Sequence, residues 1–382
     1  MIYLDNAATT MTDPEVVRAM LPYFSDNFGN PSSLYGIGND ARNAIANARD
    51  QVARLIDAKP SEIYFTSGGT ESDNWALMGA VLGKKHRPHI VTAVTEHAAV
   101  LNTCKALEKM GCEVTYLPVM RDGMLDPDRL RKAMRPNTDL VSIMLANNEI
   151  GTIQPIKELA QITHEAGALF HTDAVQAVGN ISVSVKHLEV DLLSGSAHKF
   201  CGPKGVGFLY IRNNARVRNY IYGGSQQNGL RAGTENVPGI VGMGAAAELA
   251  GRSLEMRSKH VEALRDMLLN ELKDRIQGTV VNGTRKNRLP NNINVSFAGV
   301  DAQALVVRLD IQGICVSTGA ACASGAPEPS HVIQALDPDI ERSKGAIRIS
   351  LSDKNTMDEV DRVADIIAQQ VDLLREIRWS NR

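Results

Sequence analysis

Asp191-Leu-Leu-Ser-Gly-Ser-Ala-His-Lys199 is the stretch that decides the architecture of this chain. Asp191–Ser194 reads as a short buried strand, and a lysine follows just past its end. Outward from it the same unit recurs. Short apolar runs at Ile63–Thr66, Ile90–Val94, Val114–Leu117, Leu140–Ala146 and Ala168–His171 alternate with segments of helical period such as Pro127–Met134 and Ile156–Ala166. Strand–helix alternation of this kind predicts an α/β fold with a mainly parallel sheet covered by helices on both faces. Ligands of such sheets sit beyond the C-terminal ends of the strands, so chemically active residues are expected just after the apolar runs.

The pattern changes towards the C-terminus. Val237 to Ile276 reads as one long helix. Beyond it, Asn291–Phe297 and Ala346–Leu351 alternate apolar and polar residues as half-buried strands do, accompanied by helical segments at Ala302–Leu309 and Met357–Ile377. This predicts a large domain of residues 13–256 and a smaller α+β domain of residues 257–382 together with residues 1–12. The hinge is expected near Leu254–Lys259. No internal repeat or low-complexity tract interrupts the chain.

Composition narrows the function classes. The chain has 382 residues, 43% hydrophobic and 22% charged, values ordinary for a soluble globular protein. A net charge of −2 gives no electrostatic footprint for nucleic acid or an anionic membrane, so small molecules and protein partners are the better expectation. The opening MIYLDNAATT has neither a basic n-region nor an apolar h-region, and no run of about 18 apolar residues could span a bilayer. A cytoplasmic, reducing location is expected. Cys104, Cys112, Cys201, Cys315 and Cys322 form no C-x-x-C pair, which leaves no zinc-type metal site. Taken singly, each reads as a small buried apolar residue.

Three features follow strands in order. Ile63–Thr66 leads into Ser67-Gly-Gly-Thr-Glu-Ser72 and then a helical pattern, a turn that presents free N–H groups and a helix dipole to an anion. No G-K-[ST] follows, so it is not a Walker A loop; a plain strand–helix turn is the bland alternative. Ala168–His171 ends in Thr172-Asp173-Ala174-Val175-Gln176, whose Asp173 faces the crevice or caps a helix. Lys199 follows the third strand, where desolvation would free its amine for Schiff-base chemistry, unless it is an ordinary surface lysine. A phosphate grip, a carboxylate and a lysine together are the parts that pyridoxal phosphate requires. Gly36-Ile-Gly38-Asn-Asp-Ala41 and Gly202-Pro-Lys-Gly205-Val-Gly207 lack the context of a dinucleotide fingerprint.

Several blocks then match one family. Tyr3-Leu-Asp-Asn-Ala-Ala-Thr-Thr10, Ser67–Ser72, Thr95-Glu-His97, Asn147-Asn-Glu-Ile-Gly151, His171–Gln176, Ser194–Lys199, Gly202-Pro-Lys-Gly205 and Arg231-Ala-Gly-Thr-Glu-Asn236 occur in the order seen in cysteine desulfurases. Over nearly its whole length the chain resembles their NifS/IscS-like branch, among the class V, fold-type I pyridoxal-phosphate enzymes. The resemblance implies a seven-stranded sheet and roles residue by residue. Lys199 would hold the cofactor, Asp173 its ring nitrogen and Gln176 its phenolic oxygen. His97 would stack on the ring, where many transaminating relatives carry an aromatic residue, and would shuttle a proton. Gly69, Thr70, Ser196 and His198 would grip the phosphate, and Thr234 would reach the phosphate of a neighbouring subunit in a homodimer with shared sites. Arg348 alternates with Ile347 and Ile349 on its strand, so it faces away from them. Its fork suits a carboxylate. The family would use it on the carboxylate of L-cysteine with help from Asn148; a surface salt bridge is the bland reading.

Val316-Ser-Thr-Gly-Ala-Ala-Cys322-Ala-Ser-Gly-Ala-Pro-Glu-Pro-Ser-His331 is rich in turn-forming residues, which predicts an exposed loop. It resembles the loop that carries the sulfur-accepting cysteine of this branch, so Cys322 would take the sulfur as a persulfide and leave L-alanine. Cys315, flanked by Ile314 and Val316, reads as buried. The chain ends at Ile377-Arg-Trp-Ser-Asn-Arg382, where housekeeping relatives carry a longer tail that docks the cluster scaffold. The acceptor therefore stays open between an iron–sulfur scaffold, nitrogenase maturation and tRNA thiolation. A selenocysteine lyase, an aminotransferase, a cysteine β-lyase or an inactive binding scaffold are the alternatives.

Overall fold

In the computed structural model, which describes residues 1–318 and 330–380, a seven-stranded sheet forms the centre of the larger part. Its strands are β1 (Ile63–Thr66), β2 (His89–Ala93), β3 (Glu113–Leu117), β4 (Thr138–Ser142), β5 (Leu169–Asp173), β6 (Leu192–Ser196) and β7 (Gly207–Ile211). Their spatial order is β1-β7-β6-β5-β4-β2-β3. The pairs within β3-β2-β4-β5-β6 are parallel, and β7 runs antiparallel to both β6 and β1. Every residue of β6 and β7 is buried, as expected of strands covered on both faces. At Gly195 the sheet packs too closely for a side chain: a Cβ there would lie 2.2 Å from Cε1 of Phe208 on the paired strand.

Helices cover this sheet. α1 (Gly36–Leu55) packs on α4 (Val237–Arg275), while α2 (Gly69–Val81) lies on β6 and β7 and against α3 (Ala98–Lys109). Caps set several of these helices in place. His97 caps α3, Asn236 caps α4, and Pro238 near the start of α4 suits a position that needs no N–H donor.

Helix α4 serves two cores. Ile240, Met243, Ala247 and Ala250 belong to the core under the large sheet, and Val261, Leu264, Leu268 and Leu272 belong to a second core. That second core is built on the antiparallel strands β8 (Thr279–Val281), β9 (Asn292–Phe297) and β10 (Ala346–Ser350), with β9 in the middle, and on helix α5 (Met357–Ser380). The start of the chain joins it. Ile2 and Tyr3 pair in parallel with Ile314 and Cys315, and Leu4 is buried in this core.

Four of these elements, α1, α3, β7 and β8, are absent from the reading of the sequence. β7 follows immediately after the glycine pattern Gly202–Gly207, and α1 begins at the other one, Gly36. Cys315, read as buried, is half-buried on its short strand; Cys104 and Cys112 are buried, and Cys201 is half-buried.

Candidate active site

The C-terminal ends of the strands open on one cavity of about 360 Å³. Gly69, Thr70, His97, Asn148, Asp173, Gln176, Ser196, His198, Lys199 and Arg348 all line it. Thr234 does not line it; it is exposed, just ahead of α4. Cys322 lies outside the described residues.

Each side chain arrives by a local route. Asp173 is the last residue of β5, and Lys199 sits on the turn that follows β6. The Lys199 Nζ donates to the carbonyls of Ala7 (2.7 Å) and Ala8 (2.8 Å). Gln176 Nε2 donates to the same Ala7 carbonyl at 2.9 Å. The N-terminal turn is thus one wall of the cavity. It is held there by Thr10, whose hydroxyl donates to the His198 carbonyl (2.9 Å) and accepts from the Cys201 N–H (2.9 Å).

On the opposite wall α2 begins at Gly69. A Cβ at that position would meet Cγ2 of Val175 at 2.7 Å, so glycine lets the helix start approach the end of β5. His198 hydrogen-bonds the Thr9 hydroxyl through Nδ1 (3.1 Å). Burial, then Lys199 and Lys204, pull its pKa down to about 4, so its ring is neutral near pH 7.

His97 accepts the Ala99 N–H on Nδ1 (3.1 Å), which places the proton of the neutral ring on Nε2. Asp173 Oδ1 accepts the Val175 N–H at 2.9 Å. Burial pushes the Asp173 carboxyl above the ordinary range, against the pull of His97, that N–H and Lys199. A buried carboxyl held high in this way is suited to a cationic partner, and a protonated ring nitrogen is one. The helix start, the neutral His198, Ser196 and this carboxyl fit the phosphate and ring of pyridoxal phosphate.

Arg348, in the middle of β10, is 2% exposed. Nη2 lies 2.7 Å from Oδ1 of Asp5, Nη1 donates to the Asn148 carbonyl (3.0 Å), and Nε is buried with no hydrogen-bond partner among the described residues. The bland reading of a surface salt bridge does not apply to so buried an ion pair. The residues flanking 319–329 are tied to this neighbourhood by hydrogen bonds. Ser317 pairs with Arg348 through the main chain, Ser330 Oγ donates to Glu149, and His331 Nε2 lies 3.2 Å from the Glu96 carbonyl.

Asp5, Asp73 and Glu96 have no role in the sequence reading, yet Asp73 lines the cavity, and Asp5 and Glu96 bond to Arg348 and Met144, which line it. One signal was there to be found. Ser72-Asp73 is a polar pair near the start of a helix that continues Trp75-Ala-Leu77 and Gly79-Ala-Val81, all buried.

The chain matches the family model described as "Aminotransferase class-V" over residues 2–363. It is 51% identical to the cysteine desulfurase IscS of Dictyoglomus turgidum over 98% of this chain and 96% of that protein. Among solved structures it is similar to a NifS-like protein, with a TM-score of 0.91 and 41% identity over 97% of this chain and 99% of that one. It is also similar to SspA in complex with cysteine, with a TM-score of 0.82 and 34% identity over 93% of this chain and 100% of that one.

Proposed function

Because the chain belongs to the aminotransferase class-V family, and within it to the cysteine desulfurases, we propose that it removes sulfur from L-cysteine with pyridoxal 5'-phosphate on Lys199 and Cys322 as sulfur acceptor. The observation that carries this reading is the convergence of Lys199, Asp173, His97 and Arg348 on one cavity at the strand ends.

Bound pyridoxal phosphate supplies an electron sink for breaking bonds at the substrate's Cα and Cβ. The protein's own residues do the rest. Gly69, Thr70, Ser196 and the neutral His198 hold the phosphate. Asp173 keeps the ring nitrogen protonated, and Gln176 bonds the phenolic oxygen. Arg348 binds the substrate carboxylate with its fork, aided by Asn148. Lys199 takes the Cα proton, and the Ala7 and Ala8 carbonyls orient its nitrogen. His97 delivers or removes a proton at Nε2. Cys322 takes the sulfur as a persulfide while the carbon skeleton leaves as L-alanine. Two observations support the choice of thiol. Burial raises the pKa of Cys201, Cys104 and Cys112, which leaves them poor nucleophiles, and the described residues on either side of the segment carrying Cys322 meet the cavity's neighbourhood, Ser317 pairing with Arg348 and His331 reaching the carbonyl of Glu96, next to His97.

The active form in this reading is a homodimer in which Thr234 completes the partner's phosphate site. Exposed Met11, Leu21, Phe24, Phe28, Leu34 and Tyr35 supply apolar surface for such an interface, and Thr234 is exposed and away from its own chain's cavity. No described helix is long and apolar enough to cross a membrane. A cytoplasmic location and delivery of sulfur to an iron–sulfur scaffold or another acceptor protein complete the reading. Mass spectrometry of the protein after L-cysteine treatment tests it. The expected result is one added sulfur on the peptide containing Cys322, absent from Cys322→Ser. Sulfur on Cys201 or Cys315 instead would overturn the assignment.

A further inference from the structure

Helix α2 turns Asp73 towards the floor of the cavity. The residue is 1% exposed, and its Oδ1 makes no hydrogen bond among the described residues. One carboxylate oxygen each of Asp73 and Asp173 and one ring nitrogen of His97 lie within 4.8 Å of one another. Two carboxylates this close in a dry site do not both ionise. Their surroundings decide which keeps the charge.

Asp173, at the end of β5, has the Val175 N–H, His97 and Lys199 on its side. Asp73 shares the proximity of His97 but has neither the N–H nor the lysine. From β6 it meets the Ser194 hydroxyl, and from the turn before α3 it feels Glu96, another acid. From β5 it meets His171, whose Nε2 is 3.7 Å away. That ring offers no charge. It is wholly buried between the hydroxyls of Ser142 (2.8 Å) and Ser194 (3.0 Å), and burial pulls its pKa to about 3.

We propose that Asp73 is a positioning residue for Asp173: it stands beside that carboxylate as a neutral acid and so confines the negative charge of the pair to Asp173. This rests on the reading of Asp173 as the partner of the cofactor's ring nitrogen. Burial and then Asp173 itself push the Asp73 carboxyl well above the ordinary range, with Ser194 opposing in part, whereas Asp173 has His97, the Val175 N–H and Lys199 to offset its own burial. A carboxylic acid kept neutral in an apolar site remains a hydrogen-bond donor at neutral pH. A second negative charge here would instead draw a proton onto His97 or Asp173, the two groups whose protonation the chemistry uses.

The test is infrared spectroscopy of the holoenzyme made with carbon-13-labelled aspartate, so that Glu96 does not contribute. The expected spectrum has a label-sensitive band of a protonated carboxyl that persists from about pH 6 to about pH 9 and disappears in Asp73→Asn. Asp73→Asn, which keeps shape and a donor, should retain the wild-type cofactor absorbance and an affinity within about twofold. Asp73→Leu, with neither donor nor acceptor, should lose about tenfold or more in cofactor affinity. Absence of the band in the wild-type holoenzyme overturns the proposal whether or not the variants fold, and so does a band that survives in Asp73→Asn. The underlying reading is tested apart. If Asp173→Asn binds cofactor as tightly as the wild type, with the same absorbance, Asp173 is not the ring-nitrogen partner, whatever Asp73 does.

Discussion

Nη2 of Arg348 lies 2.7 Å from Oδ1 of Asp5, which joins the middle of the last strand to the first turn of the chain. The same arginine reaches the Asn148 carbonyl and pairs through its backbone with Ser317, just ahead of the segment that carries Cys322. One cation therefore links the N-terminal turn, the proposed substrate carboxylate site and the residue that precedes the proposed sulfur-accepting segment.

Arg348→Lys should raise KM for L-cysteine by about tenfold or more, because a point charge replaces a two-pronged fork. Asp5→Asn keeps an oxygen acceptor for Nη2 and should raise KM less, with kcat little changed. Steady-state alanine formation separates the two parameters. A fall in kcat at constant KM would show that Arg348 does not hold the substrate carboxylate.

Cys322→Ser should bind cofactor with the wild-type absorbance but form alanine from cysteine on the order of a hundredfold more slowly or worse, since the hydroxyl cannot accept sulfur. Lys199→Ala should instead lose the covalent attachment of the cofactor, which denaturation followed by dialysis reveals. Retained alanine formation in Cys322→Ser would remove the persulfide step.

His171 makes stability depend on pH. Its ring is neutral when folded, with a pKa near 3, and takes a proton near pH 6.5 when unfolded. Between those values the unfolded chain binds a proton that the folded chain does not. Stability therefore falls as pH drops from about 6.5 towards 3. The loss from pH 7 to pH 5 should be roughly 2 kcal/mol from this residue alone. Urea unfolding at the two pH values should show that the change in stability between them differs between the wild type and His171→Gln by about this amount.

Gly195→Ala should destabilise the protein by about 1–3 kcal/mol, because the added methyl would overlap the ring of Phe208 between paired strands. Equilibrium denaturation measures this directly. A change below about 0.5 kcal/mol would mean that the ring has room to move aside.

Much of the fold is legible in one dimension because burial imposes a period on the residues. The apolar runs at 63–66, 90–94, 114–117 and 191–194 fall on β1, β2, β3 and β6 to within two residues. β7 is hard to read because Gly207-Phe-Leu-Tyr-Ile211 is a short run, buried throughout, that starts on the last glycine of a glycine-rich turn and has no alternation to mark it as a strand. Its antiparallel direction is a property of its partners and not of its own residues. α1 escaped because its buried face includes Ala41, Ala44, Ala48 and Ala53, small side chains that barely register as an apolar stripe.

The sequence by itself determined the alternation of strands and helices, the order of the motifs and the identity of the lysine, acid, histidine and arginine that line one cavity. Those are local properties, carried by residue type and spacing. Only the tertiary structure decided that Asp5 meets Arg348, that the Ala7 and Ala8 carbonyls hold Lys199, and that Asp73 crowds Asp173. Proximity between distant positions, and the removal of water that sets a buried group's charge, come into being only when the layers pack.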